Sequence, residues 1–242
     1  MIIGAARGAA NERLPILIVT GLRQEARIAA GPGMTVICSS SDPKQLRGLL
    51  RVFDPSGIRG IVSFGVAGGL DPTLESGDVI LATEVVAGNY RWQAATPLKE
   101  NLAATPGLDR KRVVEGILAG SEHIVVSTQS KADLRRVTGA SAVDMESHIA
   151  ADYATENGLP FAALRVVADP ASRTLPEEAV SAITPDGRIN AWKVMRGVVR
   201  RPHAIPDLMR TARDFNRAIA GLRGCRGLLF GSSSQGLVPA NF

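Results

Sequence analysis

The sextet Ala142-Val143-Asp144-Met145-Glu146-Ser147 constrains this chain more than any other stretch. Its apolar start reads as a buried strand that turns straight into a helix, with two carboxylates and a thioether at the turn. Downstream, Phe161-Ala162-Ala163-Leu164-Arg165-Val166-Val167-Ala168-Asp169 is a second apolar strand that also ends on a carboxylate. Residues 149–158 between them have helical composition, and Gly158-Leu159-Pro160 is a stop signal. Such a strand–helix–strand crossover predicts two parallel, neighbouring strands. Glu146 and Asp169 are then expected at the carboxyl edge of one sheet, where open α/β sheets take their ligands.

The rest of the chain repeats that grammar. Short β-rich runs at 15–20, 34–38, 60–64 and 79–83 alternate with helical patterns at 22–29 and 42–53. Asp42-Pro43 opens the second helix as N-cap and first-turn proline. Residues 88–98, with Tyr90 and Trp92, read as an irregular loop. Residues 109–119 read as a helix, 123–126 as a strand and 131–137 as a helix. After 171 the chain reads as loop, with a short helix at 177–183, then helices at 191–199 and 206–222. In the last, Leu208, Met209, Ala212, Phe215, Ile219 and Leu222 form one apolar stripe. The expected fold is α/β, a three-layer α/β/α sandwich on a mostly parallel mixed sheet. No repeat or composition shift divides it, so 14–230 is expected as one domain, with loose ends at 1–13 and 231–242.

Composition narrows the function classes. A 45% hydrophobic content suffices for a core, and no apolar run reaches the ~18 residues of a membrane span. The N-terminus has no continuous apolar segment of the secretory kind. Two distant cysteines, Cys38 and Cys225, argue against a disulfide framework and for a reducing, cytoplasmic setting. The +5 charge is carried mostly by arginines late in the chain, either a solvated helix face or an attraction to an anionic surface. With 4% aromatics and no basic stretch interleaved with them, nucleic-acid binding by base stacking has little support.

Several site chemistries lack their signatures. The stretch Gly65-Val66-Ala67-Gly68-Gly69 does not match G-x-G-x-x-G, and no phosphate-loop lysine motif exists. Gly231-Ser232-Ser233-Ser234-Gln235 fails G-x-S-x-G. His123, His148 and His203 have no metal-ligand spacing, so no metal is expected. The glycines of 65–69 have two open readings: an anion nest of free N–H groups, or a tight connection needing glycine for geometry alone. Glu146 and Asp144 also have plain readings as helix-start carboxylates, and Asp169 before Pro170 as a turn residue.

Taken together, Ser63-Phe64-Gly65-Val66-Ala67-Gly68-Gly69-Leu70-Asp71-Pro72, Gly77-Asp78-Val79, Val143-Asp144-Met145-Glu146-Ser147 and Arg165-Val166-Val167-Ala168-Asp169 resemble the nucleoside phosphorylase/nucleosidase superfamily. That family includes purine nucleoside phosphorylases and methylthioadenosine/S-adenosylhomocysteine nucleosidases. The run 142–151 and the arginine-rich tail resemble most closely the hopanoid-associated phosphorylases, which are implied to release adenine from adenosylhopane. The resemblance implies that Met145 packs under the ribose, that Glu146 binds its hydroxyls, and that Asp169 is the acid facing the purine. Val66, Ala67 and Gly68 are implied to line the substrate. Glu25, four residues after Gly21, matches the nucleosidases' general base; on its own it is an ordinary first-turn glutamate.

A phosphorylase also needs donors for phosphate, and Arg23 with the Gly65 nest are the candidates. No aromatic stands near Ser127–Lys131 to stack on the base, leaving Tyr90 or Trp92 for that role. The expectation is cleavage of an N-glycosidic bond by phosphorolysis, with phosphate as co-substrate and no cofactor. The alternatives are hydrolysis with Glu25 as base, and a non-catalytic nucleoside-binding protein. The expected partners are a lipid-linked nucleoside, a second copy of the chain in a homodimer, and peripheral contact with the inner membrane, but no nucleic acid.

Overall fold

A computed structural model, which describes residues 14–95, 112–176 and 205–229, is built around the ten-residue strand β3 (Gly60–Gly69). Before it come β1 (Ile16–Thr20), α1 (Arg23–Ala29), β2 (Met34–Cys38) and α2 (Pro43–Arg51). After it come β4 (Val79–Ala87), β5 (Tyr90–Gln93), β6 (Val113–Gly120), α3 (Thr128–Thr138) and β7 (Ala142–Asp144). The chain continues through α4 (Ser147–Glu156), β8 (Phe161–Asp169), α5 (Ile205–Gly224) and α6 (Arg226–Leu229). The eight strands form one mixed, mostly parallel sheet, as expected of an α/β fold.

Strand order departs from the simple crossover. β7 and β8 neither pair with each other nor run parallel, contrary to the expectation. β8 runs parallel to β3 along nearly its whole length, while β7 meets only the end of β3, antiparallel, at Gly68 and Gly69. β8 also pairs antiparallel with β4, β4 parallel with β6, and β6 parallel with β7. Strands β3, β8, β4, β6 and β7 therefore close into a ring, with β1 and β2 extending it from β3. Because Gly68 pairs with both Val143 and Asp169, the ends of β7 and β8 still meet across β3.

Helices cover the sheet on both sides. Leu46 and Leu50 of α2 and Ile149, Ala150, Ala151 and Ala154 of α4 belong to one core. Ile28 and Ala29 of α1 and Ala218, Ile219 and Leu222 of α5 belong to another. Leu208, Ile219 and Leu222 of the α5 stripe are buried, each full burial of Ile219 or Leu222 contributing about 1.5–3 kcal/mol, and Phe215 packs against the core; Met209 and Ala212 are exposed. The helix starts are locally encoded. Asp42 accepts from the amides of Lys44 and Gln45, and Ser127 accepts from that of Ser130.

Four further sequence-based expectations change. Residues 113–120 are strand β6, not helix: Val113, Val114 and Ile117 are β-branched, Gly116 weakens a helix, and pairing with β4 and β7 satisfies the backbone. Residues 123–126 are an irregular connection. Tyr90–Gln93 is a strand, because Gly88, at φ +56°, and Asn89 turn β4 back on itself, pairing Ala87 with Tyr90. Residues 65–69 are the continuation of β3, not a turn. The expected helices at 177–183 and 191–199, and the ends at 1–13 and 231–242, lie outside the described residues.

Candidate active site

α1 begins with its own glutamate folded back on it. The amides of Gly21 and Leu22 both donate to Glu25 Oε2 at 2.8 Å, and Val66 N on β3 donates to Oε1 at 2.8 Å. Glu25 is buried, and burial pushes its carboxyl above the ordinary value, with Arg165 and these three amides pulling the other way.

At the end of β7, Asp144 caps α4: its Oδ1 accepts from Glu146 N at 3.0 Å and Ser147 N at 2.7 Å. The same carboxylate binds Arg165 of β8, whose Nε donates to Oδ2 at 2.7 Å. Arg165 Nη2 donates to Ser63 Oγ at 2.6 Å and lies 3.5 Å from Glu146 Oε2. Its Nη1 is buried with no hydrogen-bond partner. Burial opposes the Arg165 charge, yet Asp144, Glu146 and Glu25 around it hold its proton more tightly than usual.

Glu146 also accepts from Ser39 Oγ at 3.1 Å. Burial raises its carboxyl to about 7; Arg165 opposes the rise, and Asp144 and Glu25 add to it. Desolvation thus raises the carboxyls of both Glu146 and Glu25 despite the guanidinium beside them.

Two glycines exist because of this cluster. A Cβ on Gly21 would stand 2.7 Å from Glu146 Oε1. A Cβ on Gly65 would stand 2.8 Å from Glu25 Oε1 and overlap Arg165 Nη1. Gly65 is therefore a space left for side chains rather than part of an anion nest, and the Val66 amide is already given to Glu25.

Asp169, at the end of β8, faces the same space from the other side. Its Oδ2 accepts from Lys131 Nζ at 2.6 Å. Burial raises its carboxyl to about 6, with Lys131 acting against the rise and Asp214 adding to it.

Glu25, Glu146 and Asp169 all line one cavity of about 440 Å³. Gly21, Val66, Ala67, Gly68, Val143 and Met145 share its wall. Ile124, Val125, Leu175, Leu208, Ala212 and Phe215 make an apolar side. That volume and mixture suit a small ligand with one polar and one apolar end. The residues expected at the sugar and at the proton transfers therefore border this space; the two phosphate candidates and the two stacking candidates, Tyr90 and Trp92, do not. Arg23 is exposed, because Glu25, two positions on and so nearly opposite on the helix, takes the inward direction. Tyr90 and Trp92 stack on each other with centroids 5.9 Å apart and are not on the cavity wall. Among the described residues, Phe215 and His123 are the rings on its wall.

Sequence reasoning gave no role to Arg165 or Lys131. Arg165 carries a visible signal: a lone cation inside an apolar strand must be met by buried carboxylates. Lys131 carries none, since a lysine in a helix's first turn is ordinarily solvated. Among the described residues no grouping of three or more His, Cys, Asp or Glu is arranged to hold a metal ion, and no helix is long and apolar enough to cross a membrane.

Four acids, Glu25, Asp144, Glu146 and Asp169, thus line the cavity of this α/β fold. The chain belongs to the phosphorylase superfamily, whose family model matches residues 44–201. It is 27% identical over 194 residues to the 5'-methylthioadenosine/S-adenosylhomocysteine nucleosidase of Actinobacillus succinogenes, covering 69% of this chain and 74% of that protein. Among solved structures, it is similar to the Helicobacter pylori 5'-methylthioadenosine/S-adenosylhomocysteine nucleosidase bound to butyl-thio-DADMe-Immucillin-A. The TM-score is 0.65 at 16% identity, covering 90% of this chain and 96% of that one. It is also similar to the futalosine hydrolase of Helicobacter pylori, with a TM-score of 0.60 at 19% identity, covering 78% and 98%.

Proposed function

We propose that this protein cleaves the N-glycosidic bond of an adenosine-like nucleoside bearing an apolar 5′ substituent. The observation that carries the reading is the meeting of Glu146 and Asp169 on one cavity, with Glu25 beside them. Breaking the C–N bond leaves positive charge on the ribose and negative charge on the purine. Glu146 holds the ribose hydroxyls and offsets the first; Asp169, whose raised carboxyl retains a proton in mildly acidic solution, donates to the purine nitrogen and neutralises the second. Met145 packs under the sugar. The relatives named above, nucleosidases of methylthioadenosine and S-adenosylhomocysteine, supply the substrate class.

Water is the nucleophile best matched by the geometry. Glu25 occupies the amides of Gly21, Leu22 and Val66, which would otherwise be free to seat an anion. It accepts the proton as water attacks. Membership of the phosphorylase superfamily favours a second reading, phosphorolysis. In that form the substrate is a lipid-linked adenosine such as adenosylhopane, and the apolar side near Leu208, Ala212 and Phe215 accommodates the tail.

Chromatography of the products decides between them. Incubated with 5′-methylthioadenosine or adenosylhopane, the enzyme is expected to release adenine at the same rate with and without phosphate. Release that requires phosphate and yields a ribose 1-phosphate establishes phosphorolysis instead. No adenine from either substrate overturns the whole reading.

A further inference from the structure

Lys131 is a buried cation that the chemistry above does not use. It stands in the first turn of α3, its side chain is wholly shut off from solvent, and it does not line the cavity. Taking an ammonium out of water costs several kcal/mol, so each of its protons needs an acceptor. Nζ donates to Asp169 Oδ2 at 2.6 Å, to Pro170 O at 3.0 Å and to Arg173 O at 2.9 Å. One carboxylate oxygen and the two carbonyls of the following loop are thereby fixed by a single group. The other oxygen, Oδ1, has no part in that contact.

We infer that Lys131 is the positioning residue of the acid: it turns Asp169 so that Oδ1 carries the proton towards the base, and it stabilises the carboxylate left behind. This rests on the proposed glycosidic cleavage. In the step, the C–N bond breaks and its electron pair goes to the purine. The Oδ1–H bond breaks as an N–H bond forms, and the anionic Asp169 is left against the Lys131 ammonium. The carboxyl regains its proton from water before the next turnover. A neutral buried acid with no cation behind it would part with its proton far less readily. The other charges near Asp169 are Asp214 of α5, which makes ionisation harder, and Arg173, which pairs with Asp214.

The test is the pH dependence of turnover in Lys131→Met. Wild type, which needs protonated Asp169, should lose kcat as pH rises through about 6. Without the ammonium the carboxyl holds its proton to higher pH, so the alkaline limb should move up by roughly 1–3 pH units. Below the limb kcat should fall about 10- to 100-fold with KM little changed, because a weaker acid is donating. A folded variant whose limb does not move overturns the inference, since the ammonium then does not govern the proton of the acid. Where Lys131→Met fails to fold, Lys131→Gln, which can still donate to a loop carbonyl, serves the same comparison. A measurement on the intact wild type stands beside both: the nitrogen-15 signal of Lys131 Nζ should step at the pH where turnover falls, and a flat signal contradicts the pairing. If wild type releases no adenine while that step is present, the proposed reaction fails and the Lys131–Asp169 pair remains.

Discussion

Arg165 Nε and Asp144 Oδ2 lie 2.7 Å apart with both side chains buried, and the same Asp144 carboxylate caps α4 through the amides of Glu146 and Ser147. One acid therefore ties β8 to the turn that presents Glu146. Removing the guanidinium leaves Asp144, Glu146 and Glu25 with no buried countercharge among them. Arg165→Met should cost about 3–5 kcal/mol in urea unfolding and abolish turnover. Adding Asp144→Asn should restore part of the stability but not the activity. A single variant as stable as wild type would contradict the charge arrangement.

Gly65 is a packing requirement of the site. Gly65→Ala places a methyl group 2.8 Å from Glu25 Oε1 and against Arg165 Nη1, so β3 or both side chains must shift. The expected loss is about 1–3 kcal/mol together with most of the activity. Gly48→Ala is the contrasting case. It lies in α2 with nothing within 4 Å of the new carbon, and should stabilise by about 0.5–1 kcal/mol with activity unchanged. Thermal melts of the two variants check both signs.

Glu146 makes stability depend on pH. Its folded carboxyl titrates at about 7, above the 4.5 of the unfolded chain, so the folded state binds the extra proton between those values. The stability this contributes is complete below 4.5 and is lost as pH rises through about 7. Glu146→Gln removes that dependence. The stability of the variant relative to wild type should therefore be higher at pH 8 than at pH 5, by on the order of 1–3 kcal/mol. Urea midpoints at the two pH values give the comparison, and a difference of the opposite sign refutes the raised carboxyl. Activity should fall at both.

Much of this site was legible in the sequence because its acids sit at strand ends. The run 142–147 and the strand 161–169 placed Glu146 and Asp169 at one edge even though the crossover rule put β7 and β8 side by side. Their convergence came instead from Gly68, which pairs with both strands, and no local pattern encodes that closure. Residues 113–120 were misread for a related reason: a short apolar run fits either period, and only its partners β4 and β7 decide. The glycines of 65–69 suggested a loop, whereas two of their neighbours in space, Arg165 and Glu25, explain Gly65 better than any turn. Arg23 has the charge a phosphate ligand needs, but the helical direction that turns Glu25 inward turns Arg23 out. Lys131 was invisible because its burial depends on the loop after β8.

The account rests on Asp169 as the acid at the base, and turnover of Asp169→Asn measures that most directly. With 5′-methylthioadenosine or adenosylhopane as substrate, and circular dichroism confirming the fold, adenine release should drop by about 10²–10⁴. A folded Asp169→Asn enzyme that releases adenine at the wild-type rate would contradict it.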